Sequence, residues 1–139
     1  MILADSGFWL ALINQRDKYH QNAVSFMSSC NEDLITTWPV ITETCHLLGR
    51  ELGVQSQIQF LQLLQSNLVQ VSTISNPQLG RVEVAMLKYA DLPMDLADAS
   101  LLLLAEELGH GRILSTDQRD FRTYRWKNHR PFDNLLLPD

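Results

Sequence analysis

Ile2-Leu3-Ala4-Asp5 opens the chain as a short apolar run that stops on an acid, and Arg112-Ile113-Leu114-Ser115-Thr116-Asp117 repeats that pattern near the other end. Runs this brief and this apolar suit β-strands covered on both faces. Two more lie between them, Leu34-Ile35-Thr36-Thr37 and Val69-Gln70-Val71-Ser72. Longer stretches of helical character fill the gaps. They run over about 18–28, then 39–52, with Pro39 as the first helical residue and Gly53 as the stop. Others cover 55–66, 76–90 and 95–108, the last ending near Gly109. Strands alternating with helices predict an α/β chain: a three-layer α/β/α sandwich around a central, mostly parallel sheet of four or five strands. The fifth strand is a short edge piece drawn from 132–137. The length of 139 residues fits one domain spanning 1–139.

In open parallel sheets, ligands bind beyond the carboxyl ends of the strands. Asp5 follows the first run and Asp117 the fourth, so two distant carboxylates are expected at one sheet edge. Each also suits the N-cap of the helix after it. Glu43 lies too deep in the 39–52 helix to cap it, and it shares a stripe with Val40 and Leu47. A carboxylate on such a stripe needs a partner or a metal. Asp98 follows Asp95 as in a capping box, with Asp95 as N-cap and Asp98 in the first turn. Asp98 also shares a face with Leu101, Leu102 and Ala105, which places it where the helix start meets the sheet. Clustered carboxylates repel one another unless a cation neutralises them. Hard oxygen donors suit Mg2+ or Mn2+. Metal held there activates water and stabilises charge developing on a phosphodiester. Asp5, Glu43, Asp98 and Asp117 are therefore the candidate catalytic and metal-binding residues, with one ion or two left open.

The composition sets bounds on the class. Hydrophobic residues make up 45% and charged residues 19%, ordinary for a chain with a real core, and the net charge of −5 does not advertise nucleic-acid binding. Cys30 and Cys45 are too few for a disulfide framework and show no zinc spacing. No signal peptide and no membrane span are expected, and the cytoplasm is the expected location. No Gly-rich phosphate loop or nucleophile elbow is present. His20 and His46 sit singly on helices and read as structural.

The same residues resemble the PIN domain nucleases, and especially the VapC-like toxins of toxin–antitoxin pairs. The resemblance covers nearly the whole chain. Ile2-Leu3-Ala4-Asp5-Ser6-Gly7-Phe8-Trp9 looks like the family's first motif, and Asp17-Lys18-Tyr19-His20-Gln21-Asn22-Ala23 is similar to its next segment. Val40-Ile41-Thr42-Glu43 resembles the second acidic motif, Asp98-Ala99-Ser100 the third, and Ser115-Thr116-Asp117-Gln118-Arg119-Asp120-Phe121 the fourth. The resemblance implies a metal-dependent endoribonuclease whose cluster is supported by Ser6 and, through hydrogen bonds, by Thr116. It implies an RNA substrate and a small antitoxin protein that covers the acidic pocket, with a homodimer also open. It assigns no role to Asp95 or Asp120.

Arg119, Arg122, Arg125, Lys127 and Arg130 stand against Asp120 alone in the segment 119–130, a net +4 that leaves −9 for the rest of a chain totalling −5. Tyr124 and Trp126 interleave with these bases. Cations and aromatics together suit a phosphate backbone and stacked bases. A solvated turn with its aromatics packed inward fits the same residues. Two other functions use acids at strand ends or keep the fold. A metal-dependent phosphatase wants Asp-x-Asp after the first strand, where this chain has Asp5-Ser6-Gly7. A non-catalytic PIN-like RNA- or protein-binding module need not keep all four acids, and this chain has them.

Overall fold

The structure is a computed structural model that describes residues 1–138. In chain order the elements are β1 (Ile2–Ala4), α1 (Ser6–Ile13), α2 (His20–Ser29), β2 (Leu34–Thr37), α3 (Trp38–Glu51) and α4 (Val54–Leu64). Next come β3 (Val69–Ser72), a 3-10 turn (Asn76–Gln78), α5 (Leu79–Lys88), α6 (Leu96–Leu108) and β4 (Arg112–Leu114). The chain closes with α7 (Gln118–Thr123), β5 (Arg125–Trp126), β6 (Arg130–Pro131) and β7 (Asp133–Asn134). Five strands form one sheet in the order β3-β2-β1-β4-β7, every pairing parallel, with helices flanking it. This is the three-layer α/β/α sandwich expected from the alternation. β5 and β6 form a separate antiparallel pair.

The central strands β1, β2 and β4 are buried almost throughout, as continuous apolar runs between two helical layers must be. Leu3, Phe8, Trp9, Leu34, Val40, Leu101 and Ile113 fill the core. Trp9 packs against Phe8 and Phe60 with ring centroids 5.2 and 5.7 Å apart. At the amino edge of the sheet, Arg112 donates twice to Glu32, at 2.6 and 2.8 Å, and fastens the start of β4.

The structure corrects several expectations. The sequence pattern gives α1 no range, although Asp5 suits the N-cap of a helix there. After Gly7 its residues are apolar on every side, so no 3.6-residue period marks it, although Leu10, Leu12 and Ile13 are only half-buried. The single helix expected over 76–90 is a 3-10 turn followed by α5, because Ser75 and Gln78 close a capping box around Pro77 and start the chain turning early. The edge strand is confined to Asp133–Asn134 of the expected 132–137. The basic segment is no plain turn but α7 and a hairpin. No helix among the described residues is long and apolar enough to cross a membrane. Cys30 and Cys45 are free thiols.

Candidate active site

Three of the acids that end strands or precede helices are N-caps. Asp5 accepts from the Ser6 N–H at 2.7 Å and begins α1. Asp95 accepts from the Asp98 N–H at 2.8 Å and begins α6. Asp117 accepts from the Asp120 N–H at 3.2 Å and begins α7. A short side-chain acceptor satisfies a backbone donor that the first helical turn leaves without a partner. Capping and clustering are therefore one arrangement here. Parallel strands end at one edge, each feeds a helix, and the residues at those joints meet.

Asp5 sits at the centre and is only 5% exposed. The Ser115 hydroxyl donates to its Oδ2 at 3.0 Å, and the Ser6 hydroxyl lies 3.4 Å from its Oδ1. Ser6 also donates a short hydrogen bond to Glu43 Oε1, so one serine ties the end of β1 to the middle of α3. The Tyr124 hydroxyl donates to Asp98 Oδ2 at 2.7 Å. Asn134, on β7, donates to the Ser115 carbonyl at 2.9 Å and accepts from the Ser115 N–H at 3.3 Å. The short edge strand thereby fixes the loop that carries Ser115 and Asp117.

Burial and mutual repulsion set the protonation of this cluster. Burial raises the Asp5 carboxyl to about 7 against the lowering effect of its hydrogen bonds, and Glu43 and Asp117 add to the rise. Burial also raises Asp98 to about 8, with Asp5, Asp95 and Asp117 adding to the rise while the Tyr124 hydrogen bond opposes it. Glu43 is raised by burial and by Asp95, which lies within hydrogen-bonding reach of it. Asp117 is raised by burial and by its contact with Asp120. Burial and the neighbouring Asp98 push the Tyr124 phenol upward. The four expected acids are thus electrostatically coupled, directly or through one another. Asp95, beside Glu43, and Asp120, beside Asp117, join them.

These six carboxylates offer hard oxygen donors that disfavour one another when ionised. A divalent cation needs that donor chemistry. Among the described residues, no three Asp, Glu, His or Cys side chains are already drawn together as a ligand set. Glu43 is occupied by Ser6, and Asp95 and Asp117 by their helix starts. The donor type fits a cation.

Of the two expected supporting residues, Ser6 hydrogen-bonds Asp5 and Glu43, whereas Thr116 takes another place. A further hydrogen bond to Asp5 comes from Ser115. The Thr116 hydroxyl instead lies over Gly7, where an added Cβ would sit 2.0 Å from its Oγ1. Gly7 thus lets α1 approach the β4–α7 loop closely. Tyr124 and Trp126 do not present stacking faces to solvent, because both are buried. Tyr124 packs edge-on against Tyr89 and Phe121, and Trp126 donates to the Pro131 carbonyl at 3.0 Å. Of the basic residues, Arg119 lies at the acids, 3.1 Å from Asp120. Arg125 donates to the carbonyls of Arg122 and Tyr124. Lys127 and Arg130 flank the Trp126 ring on the hairpin, near Glu106 in the last part of α6. The basic residues thus make separate contacts along α7 and the hairpin. Tyr124 and Ser115 are the site residues that sequence reasoning missed. Ser115 lay inside the quoted motif, but no spacing rule separates its role from that of Thr116. The burial of Tyr124 had no local signal.

Comparison with known proteins identifies the family and the fold. A family model described as the PIN domain matches residues 2–127. Ribonuclease VapC26 of Mycobacterium tuberculosis is 22% identical over 124 residues, covering 89% of this chain and 92% of the relative. The crystal structure of VapC20 of the same organism, a sarcin-ricin loop cleaving toxin, superposes with a TM-score of 0.79 at 21% identity. That match covers 86% of this chain and 92% of the other.

Proposed function

The chain belongs to the PIN domain family, and on that premise we propose that it is a divalent-metal-dependent endoribonuclease, the toxin of a toxin–antitoxin pair. The observation that carries the reading is the convergence of Asp5, Glu43, Asp98 and Asp117 at one sheet edge, with carboxyl groups held toward their protonated forms by burial and by each other. Such a site is poised for a cation. The similarity to a VapC ribonuclease over most of both chains supports RNA as substrate.

Asp5, Glu43, Asp98 and Asp117 would hold Mg2+ or Mn2+. When bound, the ion supplies a water of lowered pKa and positive charge beside the phosphodiester. The chain's own groups do the rest. Ser115 and the Ser6 N–H hold the two Asp5 oxygens in a fixed orientation. Tyr124 holds Asp98. Ser6 keeps Glu43 beside Asp5. Fixed donors of this kind spare the site reorganisation during reaction. Asp95 and Asp120 add negative charge beside Glu43 and Asp117. Arg119, paired with Asp120 and largely exposed, would meet a phosphate of the strand entering the site. Arg122, Arg125, Lys127 and Arg130 add positive charge farther along and strengthen RNA affinity in a salt-dependent way.

A strongly acidic pocket in a broadly acting ribonuclease calls for restraint. A small antitoxin placing an Arg or Lys among the carboxylates would pair with them and displace the metal. Two measurements test the proposal. A panel of single-stranded and structured RNAs is incubated with the purified chain in Mg2+, in Mn2+ and in EDTA. Cleavage in metal and none in EDTA is expected, whereas binding without cleavage in any buffer would make the chain a non-catalytic module. Expression alone and beside its neighbouring reading frame tests the toxin assignment. Growth arrest relieved by that partner is expected, and harmless expression of a chain that cuts RNA well would remove the toxin assignment while leaving the nuclease.

A further inference from the structure

Trp38, Thr42 and His46 stand at successive four-residue steps along α3 and form one exposed stripe. Trp38 is 53% exposed, whereas Trp9 and Trp126 are buried. The stripe is one wall of a shallow groove whose other wall is Leu96, the first residue of α6, itself 45% exposed. Glu43 and Asp95 line the same groove. Both also belong to the acidic cluster, so the groove opens directly into the candidate active site. The Thr42 hydroxyl donates to the Trp38 carbonyl at 3.0 Å, which leaves its oxygen free to accept, and the exposed His46 imidazole adds a second polar group along the rim.

We propose that this groove is a nucleobase subsite: the Trp38 indole stacks one unpaired base of the RNA beside the phosphate engaged at the acids, with Leu96 against its other side and Thr42 and His46 along its edge. The proposal rests on the ribonuclease reading. Three features select a base as the occupant. An indole face stacks any base, because every base has a π-face. The carboxylates at the mouth repel a phosphate lying in the groove but not an uncharged base. The groove shares Glu43 and Asp95 with the acidic cluster, so a strand whose phosphate meets a cation held at that cluster carries a neighbouring base past Trp38. Double-stranded RNA keeps its bases stacked inside and does not offer one.

The test uses the full chain carrying Asp5→Asn to prevent cleavage, with a labelled single-stranded RNA oligonucleotide and a duplex of the same sequence. Affinity is read by anisotropy, and stacking by quenching of the tryptophan emission. Adding Trp38→Ala should weaken single-strand binding about tenfold, the order expected for one stacked base. Trp38→Phe should keep most of the affinity and lose the quenching. The duplex should quench little. Single-strand affinity within twofold of the parent for Trp38→Ala overturns the subsite. So does quenching that persists without Trp38. A fall in oligomer size with unchanged RNA affinity also overturns it and makes the groove a contact between copies. If the wild-type chain neither binds nor cuts RNA, the ribonuclease reading fails first and takes the subsite with it. If it cuts RNA while Trp38→Ala binds normally, only the subsite fails.

Discussion

Neutralising Asp5 should stabilise the metal-free fold. The folded state holds this carboxyl at about 7 against 3.8 for the free group, chiefly through burial. An unfolded chain therefore releases the proton near pH 4, while the folded chain keeps it until about pH 7. Folded protein binds more protons across that window, so stability falls as pH rises through it and levels off above. A shift of about three units corresponds to a ceiling of about 4 kcal/mol at pH 8. Asn retains an acceptor for the Ser6 N–H and caps a helix as well as Asp does. It loses the Oδ2 acceptor used by Ser115, although that hydroxyl can turn and accept from the amide. After that loss, Asp5→Asn should gain about 1–3 kcal/mol at pH 8 in EDTA. Urea denaturation at steps from pH 5 to pH 9 measures both the gain and the slope. The wild type should lose stability toward pH 8, with Asp98, held to about 8, extending the fall. The variant should lose much less. A variant less stable than wild type at pH 8, or one with an unchanged slope, would refute the electrostatic argument.

Other perturbations separate the supporting residues. Tyr124→Phe removes the donor to Asp98 without emptying the core, and it should cost about 1–2 kcal/mol in urea denaturation. It should also push the Asp98 carboxyl further up, since that hydrogen bond lowers it. Asp95→Ala should lose the α6 cap at about 0.5–2 kcal/mol, while Asp95→Asn keeps it; equal melting of the two would deny the cap. Arg119→Gln should reduce the salt slope of single-stranded RNA binding by about 0.7, and an unchanged slope would mean that Arg119 meets no phosphate.

The sheet and the acids were legible because both depend on local pattern. Apolar runs of three or four residues ending on Asp5 or Asp117 carry the strand, its length and the edge at which it ends. Parallel pairing then brings those ends together whatever their separation in sequence. Asp95 as N-cap and Asp98 in the first turn were equally local. What stayed hidden depends on packing between distant segments. α1 shows no period because even its half-buried positions, Leu10, Leu12 and Ile13, are apolar. Tyr124 suited an exposed stacking aromatic and an inward-packed one equally, and only the docking of α7 beside Tyr89 and Phe121 decides for the second and brings it to Asp98. The basic run is contiguous in sequence, yet a helix followed by a hairpin sends its members different ways. Glu43 was found by its misfit with an apolar stripe, but its tether to Ser6 joins two elements and leaves no trace in either.

The central claim is that a divalent ion held by the acidic cluster carries out RNA cleavage. The most direct measurement is the initial rate of cleavage of one single-stranded RNA across a Mn2+ titration, for wild type beside Asp5→Asn, starting from EDTA-treated protein. The account predicts no cleavage at zero metal, a saturable rise for wild type, and no rise for Asp5→Asn at any concentration that saturates the wild type. Cleavage of equal rate in EDTA, or a variant that follows the wild-type curve, would contradict it.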